Sequence, residues 1–215
     1  MSYIEIQNLS KTIKGNIILK NINLSLEKNK IYGIIGNNGS GKTMLFRAIC
    51  GLINPNSGII KINNKQLHKD ISFPESVGVI IENPGMWEEL TGFQNLKMLS
   101  KIKNIIKDED IIKSLQRVGL NENDNRSFKK YSLGMKQRLG IAQAIMERPE
   151  LLIIDEPTNA LDEDGINLVR KILLEEKERG ATILIASHNK DDIDILSDCS
   201  FRMKNGSITR IGETN

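Results

Sequence analysis

The sequence predicts an α/β fold with a mostly parallel core sheet, an N-terminal antiparallel β subdomain and an inserted helical subdomain. Residues 3–9 and 17–26 alternate apolar and polar side chains, which is typical of antiparallel strands with one face in water. Shorter apolar runs predict the strands of a buried core, at residues 31–35, 77–81, 151–154 and 182–186. Between the second and third of these runs the pattern becomes helical, and this change indicates the insertion.

Turn-forming residues bound the elements that precede the insertion. A glycine-rich segment, residues 36–41, leads into a predicted helix over residues 43–52. A hairpin strand over residues 57–67 contains Asn63 and Asn64, and asparagine tolerates the left-handed backbone of tight turns. The N-terminal part therefore predicts strands, one helix and a hairpin.

Helical periodicity and glycine stops define the remaining elements. Three helices are expected in the insertion, over residues 93–103, 109–118 and 135–147. An amphipathic helix over 166–179 ends before Gly180, and the final hairpin turns at Asn205-Gly206, between strands 201–204 and 207–211. We expect one domain over residues 1–215, with an α/β core formed by 1–85 and 149–215 and a helical subdomain at 86–148.

Composition excludes several classes of protein. Hydrophobic residues make up 39% of the 215 residues, which is typical of a globular chain, and aromatic residues only 4%. The net charge is +3 without a basic stripe containing aromatics, so nucleic acid is not an expected partner. Cys50 and Cys199 have no metal-binding spacing and are expected to be reduced thiols of a cytosolic protein. The N-terminus has no leader pattern and no apolar run reaches the roughly 18–20 residues of a membrane span, so another chain must supply any spanning part.

The segment GNNGSGKT, residues 36–43, matches the pattern of a phosphate-binding loop. Its glycines let successive backbone N–H groups point at phosphate oxygens, and the helix that follows adds its positive N-terminal end. Lys42 can reach the β- and γ-phosphates, and the hydroxyl of Thr43 suits a Mg²⁺ ligand. A buried strand before the loop and a helix after it are the context that this motif requires.

A second group of residues follows the strand LLII at 151–154. Asp155 at the strand tip predicts a metal ligand, since a carboxylate that ends a buried strand needs a partner charge. Glu156, one residue further, can accept a proton from an attacking water. His188 follows the next predicted core strand, and ligands gather at the carboxyl ends of parallel strands, so we expect it near a γ-phosphate.

Ser132 and Gly134 lead into the predicted helix at 135–147, whose N-terminus is a second anion site. One nucleotide site in one chain does not need two such loops. Two copies arranged head to tail do need them, because each copy then offers this loop to the nucleotide of the other.

In this combination the chain resembles the nucleotide-binding subunit of an ATP-binding cassette (ABC) transporter, over essentially its whole length. The phosphate loop, YSLGMKQR (131–138), LLIIDEP (151–157), NALD (159–162) and Ser187-His188 occur in family order and at family spacing. The resemblance implies a P-loop NTPase core, an ATPase whose hydrolysis of ATP with Mg²⁺ is coupled to transport, and a head-to-tail homodimer.

The resemblance also implies roles for individual residues. Glu156 would be the general base, His188 would touch the γ-phosphate and Asp162 would reach across the dimer interface. The expected catalytic residues are Glu156, His188 and Glu82, and the expected metal-site residues are Thr43, Asp155 and Glu82. The expected nucleotide-binding residues are Ile13, Gly36, Asn37, Asn38, Gly39, Ser40, Gly41, Lys42, Thr43, Met44, Ser132, Gly134 and Asp162.

Three positions depart from the family pattern. Ile13 stands where many members have an aromatic residue under adenine, and an aliphatic face stacks less favourably than a ring. Leu133 and Met135 replace a glycine and a glutamine of the signature. Glu82 replaces a glutamine that senses Mg²⁺ and the attacking water, and its carboxylate would bind Mg²⁺ more strongly and repel the γ-phosphate more.

The Glu82 exchange, with IIENPG and YSLGMKQR nearby, resembles one branch of the family, transporters that give bacteria immunity to lantibiotics, bacitracin and similar peptide antibiotics. This resemblance implies permease partners in the membrane, a peptide antibiotic as indirect substrate and a place on the inner face of the bacterial cell membrane. An exporter for another substrate, such as a drug or a lipid, and a non-transport ABC ATPase remain alternatives. A small-molecule kinase would not explain YSLGMKQR.

Met86, Trp87 and Leu90 could receive a helix of a membrane partner or pack the helical subdomain.

Overall fold

A computed structural model describes residues 2–82, 85–188 and 190–212, and the structural statements below concern these residues. In chain order the strands are β1 (Ser2–Ile13), β2 (Asn16–Glu27), β3 (Ile31–Ile35), β4 (Ser57–Ile62), β5 (Lys65–Gln66), β6 (Val77–Ile80), β7 (Leu151–Asp155), β8 (Thr182–Ser187), β9 (Cys199–Lys204) and β10 (Ser207–Arg210). The helices are α1 (Lys42–Ile49), α2 (Gly92–Lys103), α3 (Asp108–Arg117), α4 (Leu133–Ile145), α5 (Glu163–Glu178) and α6 (Lys190–Leu196), with a 3₁₀ turn at Phe128–Lys130.

These strands form the two predicted sheets, and the fold class is confirmed. The smaller sheet has the antiparallel order β2-β1-β4-β5 and the larger one the order β10-β9-β3-β8-β7-β6. In the larger sheet only the edge strand β10 is antiparallel to its neighbour, so the carboxyl ends of β3, β7 and β8 meet at one edge. Buried residues of α1, among them Leu45 and Phe46, share one apolar cluster with residues of both sheets.

The two predicted hairpin turns are confirmed by their backbone. Asn63 and Asn64 have φ angles of 50° and 65°, and Asn205 and Gly206 have 50° and 77°. Two successive residues with positive φ match the right-handed twist of the flanking strands.

A second apolar cluster joins the helical subdomain to the larger sheet. It contains Leu96 of α2, Ile111 of α3 and Leu139 of α4 together with Leu152 of β7 and Ile183 of β8. Because the apolar core continues from the sheet into the helices, we propose a single domain, with 86–148 as a subdomain. The outermost expected limits, residues 1 and 215, lie outside the described residues.

Helices α1, α2 and α3 begin one residue earlier than expected, whereas α4 and α5 begin two and three residues earlier because a side chain caps each of them. Helix α4 runs over Leu133–Ile145 rather than 135–147, since the Ser132 hydroxyl accepts a hydrogen bond from the N–H of Met135 at 3.2 Å. Helix α5 starts at Glu163 rather than 166, since the Asp162 carboxylate accepts one from the N–H of Gly165 at 2.9 Å.

Helix α6 and the 3₁₀ turn were not predicted at all. Helix α6 has only seven residues, and its described buried apolar side chains are Ile193 and Leu196. Two such positions are too few to define a helical period, so the segment carries little periodic signal.

Candidate nucleotide-binding site

The loop that follows β3 lies between two clefts that share part of its surface. One cleft, of about 620 Å³, is lined by residues 35–40 with His188, Lys190 and residues 202–205 at the end of β9. The other, of about 440 Å³, is lined by residues 37–44 with Ile18, Asp155 and Glu156. The expected phosphate-loop residues, Gly36, Asn37, Asn38, Gly39, Ser40, Gly41, Lys42, Thr43 and Met44, therefore surround one continuous concave region.

Close backbone approaches explain why the loop needs glycine at two positions. A Cβ on Gly36 would lie 2.4 Å from the carbonyl oxygen of Met203. At Gly41, where φ is 110°, a Cβ would lie 2.9 Å from the carbonyl oxygen of Ile18. Neither position has room for a side chain, so the loop is held against β2 and β9 in one shape.

Two side chains of the loop, Lys42 and Ser40, place hydrogen-bond donors on its inner side. The buried ammonium of Lys42 donates to the carbonyl oxygen of Gly36 at 2.6 Å and lies 3.5 Å from that of Asn37. Within the described residues, the buried hydroxyl oxygen of Ser40 has no hydrogen-bond partner, although buried hydroxyls usually have one. An ammonium and an unpaired hydroxyl beside a helix N-terminus fit a phosphate group.

Thr43 and Asp155 meet at the start of α1. The Thr43 hydroxyl donates to Oδ2 of Asp155 at 2.6 Å, which joins the loop to the tip of β7. Burial raises the pKa of Asp155 and the nearby carboxylates of Glu156 and Glu82 raise it further, whereas the Thr43 hydrogen bond lowers it. A half-buried carboxylate with a raised pKa binds a cation more readily than an exposed one, because the cation neutralises its charge.

This pair of oxygens fits Mg²⁺ better than a metal held by protein ligands alone. Magnesium is usually bound by one or two carboxylates with waters and substrate phosphates. In the described part of the chain, no group of three or more His, Cys, Asp or Glu residues could hold a metal ion. Two protein oxygens would leave the remaining ligand positions of the ion to water and phosphate oxygens, as is usual for Mg²⁺.

Glu156 and His188 form a direct pair across the ends of β7 and β8. Oε2 of Glu156 lies 2.7 Å from Nδ1 of His188, and Oε1 accepts from the His188 backbone N–H at 3.1 Å. Glu156 itself has a left-handed backbone, with φ of 55°, and its N–H donates to the carbonyl oxygen of Ala186. The carboxylate is largely covered while the imidazole is 67% exposed. A proton acceptor and an exposed imidazole thus face the loop together.

Glu82 lies at the edge of this group. Its carboxylate makes an ion pair with Arg47 of α1, with Oε2 3.0 Å from Nη2, and its side chain is 60% exposed. Its charge acts on Asp155, but its hydrogen-bond partner in the structure is an arginine. A metal-binding role for Glu82 would compete with Arg47 for its carboxylate.

Ser132, Gly134 and Asp162 form a separate surface. Ser132 and Asp162 are exposed at the N-termini of α4 and α5, and a Cβ on Gly134 would lie 3.2 Å from the carbonyl oxygen of Ala160. Among the described residues, no hydrogen bond connects these three residues to the 36–43 loop. Within one copy, no described hydrogen bond therefore joins the two predicted anion sites.

Ile13 lies at the far end of the β1–β2 hairpin and is 38% exposed. Ile18, on β2, is the aliphatic residue that lines the cleft beside the loop. Strand β2 alternates, which identifies Ile18 as a strand residue, but no local signal shows that it lies next to Gly41.

Gln137, within the segment YSLGMKQR, makes a contact that the sequence does not predict. Its amide donates to the carbonyl oxygens of Glu156, at 2.9 Å, and of Pro157, at 3.2 Å, so α4 is tied to the backbone of the acidic pair. Arg47, the partner of Glu82, was also missed. Both contacts join residues that are distant in sequence, and a single sequence carries no signal of such pairs.

In the segment just before α2, one large apolar side chain packs in the interior and the next is exposed. Met86 is buried, whereas Trp87 is 48% exposed. The fully buried Asn95 holds this backbone, since its amide oxygen accepts from the Trp87 N–H at 2.7 Å and its amide group donates to three carbonyl oxygens. Met86 therefore packs the subdomain, and Trp87 presents an apolar surface.

None of the helices that the structure describes is long and apolar enough to cross a membrane.

Comparison with known proteins identifies relatives over nearly the full length. The family model described as ABC transporter matches residues 19–159. YybJ of Bacillus subtilis, an uncharacterized ABC transporter ATP-binding protein, is 56% identical and covers 95% of this chain and 94% of its own. The bacitracin transport ATP-binding protein BcrA of Enterococcus faecalis is 41% identical over 95% of this chain and 67% of its own. The lantibiotic transport ATP-binding protein SrtF of Streptococcus pyogenes is 38% identical over 91% and 84%, respectively.

The fold has close matches among solved structures. A dimeric post-hydrolysis state of the ATP-binding cassette MJ0796, bound to ADP and Pi, superimposes with a TM-score of 0.87. The match covers 98% of this chain and all of that one, at 21% sequence identity. This likeness supports the fold.

Proposed function

Because the chain belongs to the ABC transporter family, we propose that it drives a bacterial exporter that removes peptide antibiotics from the cell membrane. Its place as the ATP-binding subunit and its activity as an ATPase coupled to transport follow from the family itself. The substrate, the site roles, the dimer and the permease partners form the proposal.

The similarity to two peptide-antibiotic transport proteins carries the choice of substrate. BcrA and SrtF, named for bacitracin and lantibiotic transport, match this chain over 95% and 91% of its length. The similarity thus extends over the helical subdomain and the Glu82 segment as well as the general phosphate-binding motifs. A drug or lipid exporter is the competing assignment.

In the proposed site the phosphates lie in the 36–43 loop, with Lys42 turning from the carbonyl of Gly36 to the β- and γ-phosphates. Glu156 orients and deprotonates the attacking water, and His188 contacts the γ-phosphate. Thr43 and Asp155, which already share a hydrogen bond, would hold Mg²⁺, and Mg²⁺ would neutralise charge that develops on the phosphates.

Two copies arranged head to tail complete each site in this proposal. Ser132 and Gly134 of one copy face the nucleotide on the loop of the other, and Asp162 reaches across the interface. The support is geometric, since these residues form an exposed surface that does not touch the loop of their own chain. The solved cassette MJ0796, which shares the fold, is dimeric.

Permease subunits are proposed to bind beside Trp87 and to hold the ATPase at the inner face of the membrane. Trp87 is exposed on a backbone that Asn95 holds rigid, and a large apolar side chain on a fixed support suits an interface. We therefore place the chain in the cytoplasm, peripheral on the bacterial cell membrane.

An in vivo comparison tests the substrate. In the bacterium that carries the gene, the chain is replaced by its Glu156→Gln variant, and sensitivity to bacitracin, a lantibiotic and an unrelated intracellular antibiotic is measured. We expect greater sensitivity to the peptide antibiotics alone. A change confined to the unrelated antibiotic, or no change in any of the three, would contradict the proposed substrate.

An ATPase assay tests the role of Glu156. Glu156→Gln should slow phosphate release from Mg-ATP by about 100-fold or more, because the amide cannot accept the proton of water. ATP binding should persist, since the loop is intact. Glu178→Gln, which removes an exposed charge at the end of α5, is the matched control and should keep normal turnover. Near-normal activity of Glu156→Gln would reject Glu156 as the base.

A further inference from the structure

A fully buried carboxylate joins three elements next to the Glu156–His188 pair. Asp192, on α6, has no exposed surface. Its Oδ1 accepts hydrogen bonds from Nε and Nη2 of Arg170 on α5, at 2.9 and 2.6 Å. Its Oδ2 accepts one from the hydroxyl of Thr158, which is itself buried. Both carboxylate oxygens are thus satisfied by partners from different elements.

The cluster lies at a defined distance along the chain from each member of the pair. Thr158 follows Glu156 by two residues, and Asp192 follows His188 by four. Glu156 and His188 contact each other directly, as do Thr158 and Asp192. The chain from Glu156 to Thr158, the chain from His188 to Asp192 and these two contacts therefore form a closed ring. Arg170 of α5 binds to this ring through Asp192.

Such a ring limits the movement of the pair more than either contact alone. The Glu156–His188 contact is open to solvent on the imidazole side, where it competes with water. The Thr158–Asp192 contact is excluded from water, and loss of its donor would leave a buried carboxylate oxygen unpaired. The buried contact thus supplies the rigidity that the exposed one lacks.

Stability alone does not explain a charge at this position. A buried ion pair can often be replaced by apolar residues of similar volume with little loss, because desolvation offsets the attraction. A carboxylate that accepts from an arginine and a hydroxyl does, however, set the distance between their elements. The hydrogen bonds of Asp192 therefore fix the position of the loop after β7 relative to α6.

We propose that Thr158 and Asp192 are positioning residues for ATP hydrolysis, which hold the loop after β7 so that Glu156 stays paired with Nδ1 of His188. Arg170 fixes the carboxylate of Asp192 for this purpose. The inference rests on the proposed function of Glu156 and His188. It adds that a buried cluster outside the 36–43 loop sets their geometry.

Histidine NMR tests, without any ATP turnover, whether the Thr158–Asp192 contact positions the Glu156–His188 pair. The chain has two histidines, His68 and His188, so ¹⁵N-labelled histidine gives two ring systems, and His68→Gln assigns them. The spectra are recorded at about pH 8, well above the ordinary pKa of free imidazole, about 6.5. The wild-type His188 ring should carry its proton on Nδ1, because the carboxylate of Glu156 can only accept.

Three variants separate positioning from packing. Thr158→Val keeps the shape but removes the hydroxyl, and it should shift His188 towards a mixture of ring tautomers. Thr158→Ser keeps the hydroxyl and should restore the Nδ1 proton. Asp198→Asn is the control, because Asp198 follows α6 at its other end and binds the N–H of Ile31 at the opposite edge of the sheet. It should leave His188 unchanged.

Steady-state kinetics then measures the consequence. Thr158→Val should lower kcat by about tenfold with an unchanged KM for Mg-ATP, because misplacement of the base affects the chemical step. Thr158→Ser and Asp198→Asn should stay close to wild type. If Thr158→Val does not fold, Arg170→Lys replaces it, since lysine keeps the charge but loses the two-donor geometry, and the same changes are expected.

The outcomes are distinct. A wild-type tautomer and wild-type kcat in the folded variant would overturn the proposal. Equal losses of kcat in Thr158→Val and Thr158→Ser would overturn it as well, because packing rather than the hydroxyl would then be responsible. If the wild-type protein does not hydrolyse Mg-ATP, the proposed function fails, whereas the tautomer comparison still decides whether the cluster sets the Glu156–His188 pair.

Discussion

At the scale of single residues, the carboxylates differ in the partners that compete for them. Asp155 is paired with the hydroxyl of Thr43, which also suits a metal ion. Glu156 is paired with His188, and Glu82 is paired with the permanently charged Arg47. In the proposed site, these partners make Asp155 better suited to metal binding and Glu156 to proton transfer than Glu82, whose charge acts from the edge of the site.

The Glu82→Gln variant tests this division. Its ion pair with Arg47 is exposed, and such pairs contribute about 1 kcal/mol or less to stability, so the fold should be unaffected. We expect ATP binding to remain normal, because the loop and Asp155 are unchanged, and coupling to transport to be altered. Protection of cells against the peptide antibiotic, measured beside ATP binding, shows both effects.

Glu88→Gln serves as the control for Glu82→Gln. It removes one exposed negative charge from the same connecting segment and should change neither property. Antibiotic protection that is unchanged in Glu82→Gln would remove Glu82 from the coupling mechanism.

At the scale of elements, an ion cluster ties the helical subdomain to the core. Arg117 of α3 binds Glu176 of α5, with Nη1 2.6 Å from Oε1, and Arg179 donates to the other oxygen of Glu176 at 2.8 Å. The Glu176 side chain is only 2% exposed. Its neighbour Glu175 binds the same arginine at 3.0 Å but is 44% exposed.

This difference in burial predicts different stabilities for two otherwise similar variants. Glu176→Ala should lower the free energy of unfolding by about 3 kcal/mol, because it leaves two arginines without their shared buried partner. Glu175→Ala should lower it by about 0.5 kcal/mol, as expected for an exposed pair. Urea unfolding of both proteins measures the contrast, and equal losses would show that burial does not decide the contribution of these pairs.

The connection between α6 and β3 makes stability depend on pH. Burial alone would raise the pKa of Asp198, but hydrogen bonds from Lys177 and from the N–H of Ile31 outweigh it and lower the pKa. A lowered pKa in the folded state means that the stabilisation is present above the unfolded pKa, about 3.9, and is lost as the pH falls through the folded value.

Asp198→Asn should therefore differ most from wild type near neutral pH. We expect the difference in unfolding free energy between the two proteins to shrink as the pH falls below about 4, because protonation removes the same charge that the substitution removes. A difference that stays constant from neutral to acidic pH would contradict this origin of the stabilisation.

The same elements show what could be predicted from the sequence and what could not. The strands, the Asn63-Asn64 and Asn205-Gly206 turns and the phosphate loop are local patterns, and the structure has them where they were expected. The starts of α4 and α5 were missed because Ser132 and Asp162 were interpreted as interface residues, although both also cap a helix.

The contacts of the site depend on long-range folding. The sequence predicts Glu156 beside the attacking water and His188 near the γ-phosphate, but nothing in it indicates that they form a pair. The same holds for Gln137 with the backbone of Glu156, and for Arg47 with Glu82. These contacts join elements that only the sheet order brings together.

At the scale of the whole molecule, the two predicted anion sites lie on separate surfaces of one chain. The loop at 36–43 opens into the clefts beside β2 and β9, whereas the exposed Ser132 and Asp162 lie at the N-termini of α4 and α5 with the half-buried Gly134. A nucleotide held only by the loop would lack the second element. The central claim is therefore that a second copy supplies it, arranged head to tail.

Disulfide cross-linking tests this claim most directly. In a Glu156→Gln background with Cys50 and Cys199 replaced by serine, cysteines are introduced by Asn38→Cys in the loop and Leu133→Cys beside Ser132. Both positions are exposed. We expect the double variant to form an intermolecular disulfide only with Mg-ATP, and neither single variant to do so. Cross-linking of the Leu133→Cys variant alone, or none in the double variant with Mg-ATP, would contradict the head-to-tail site.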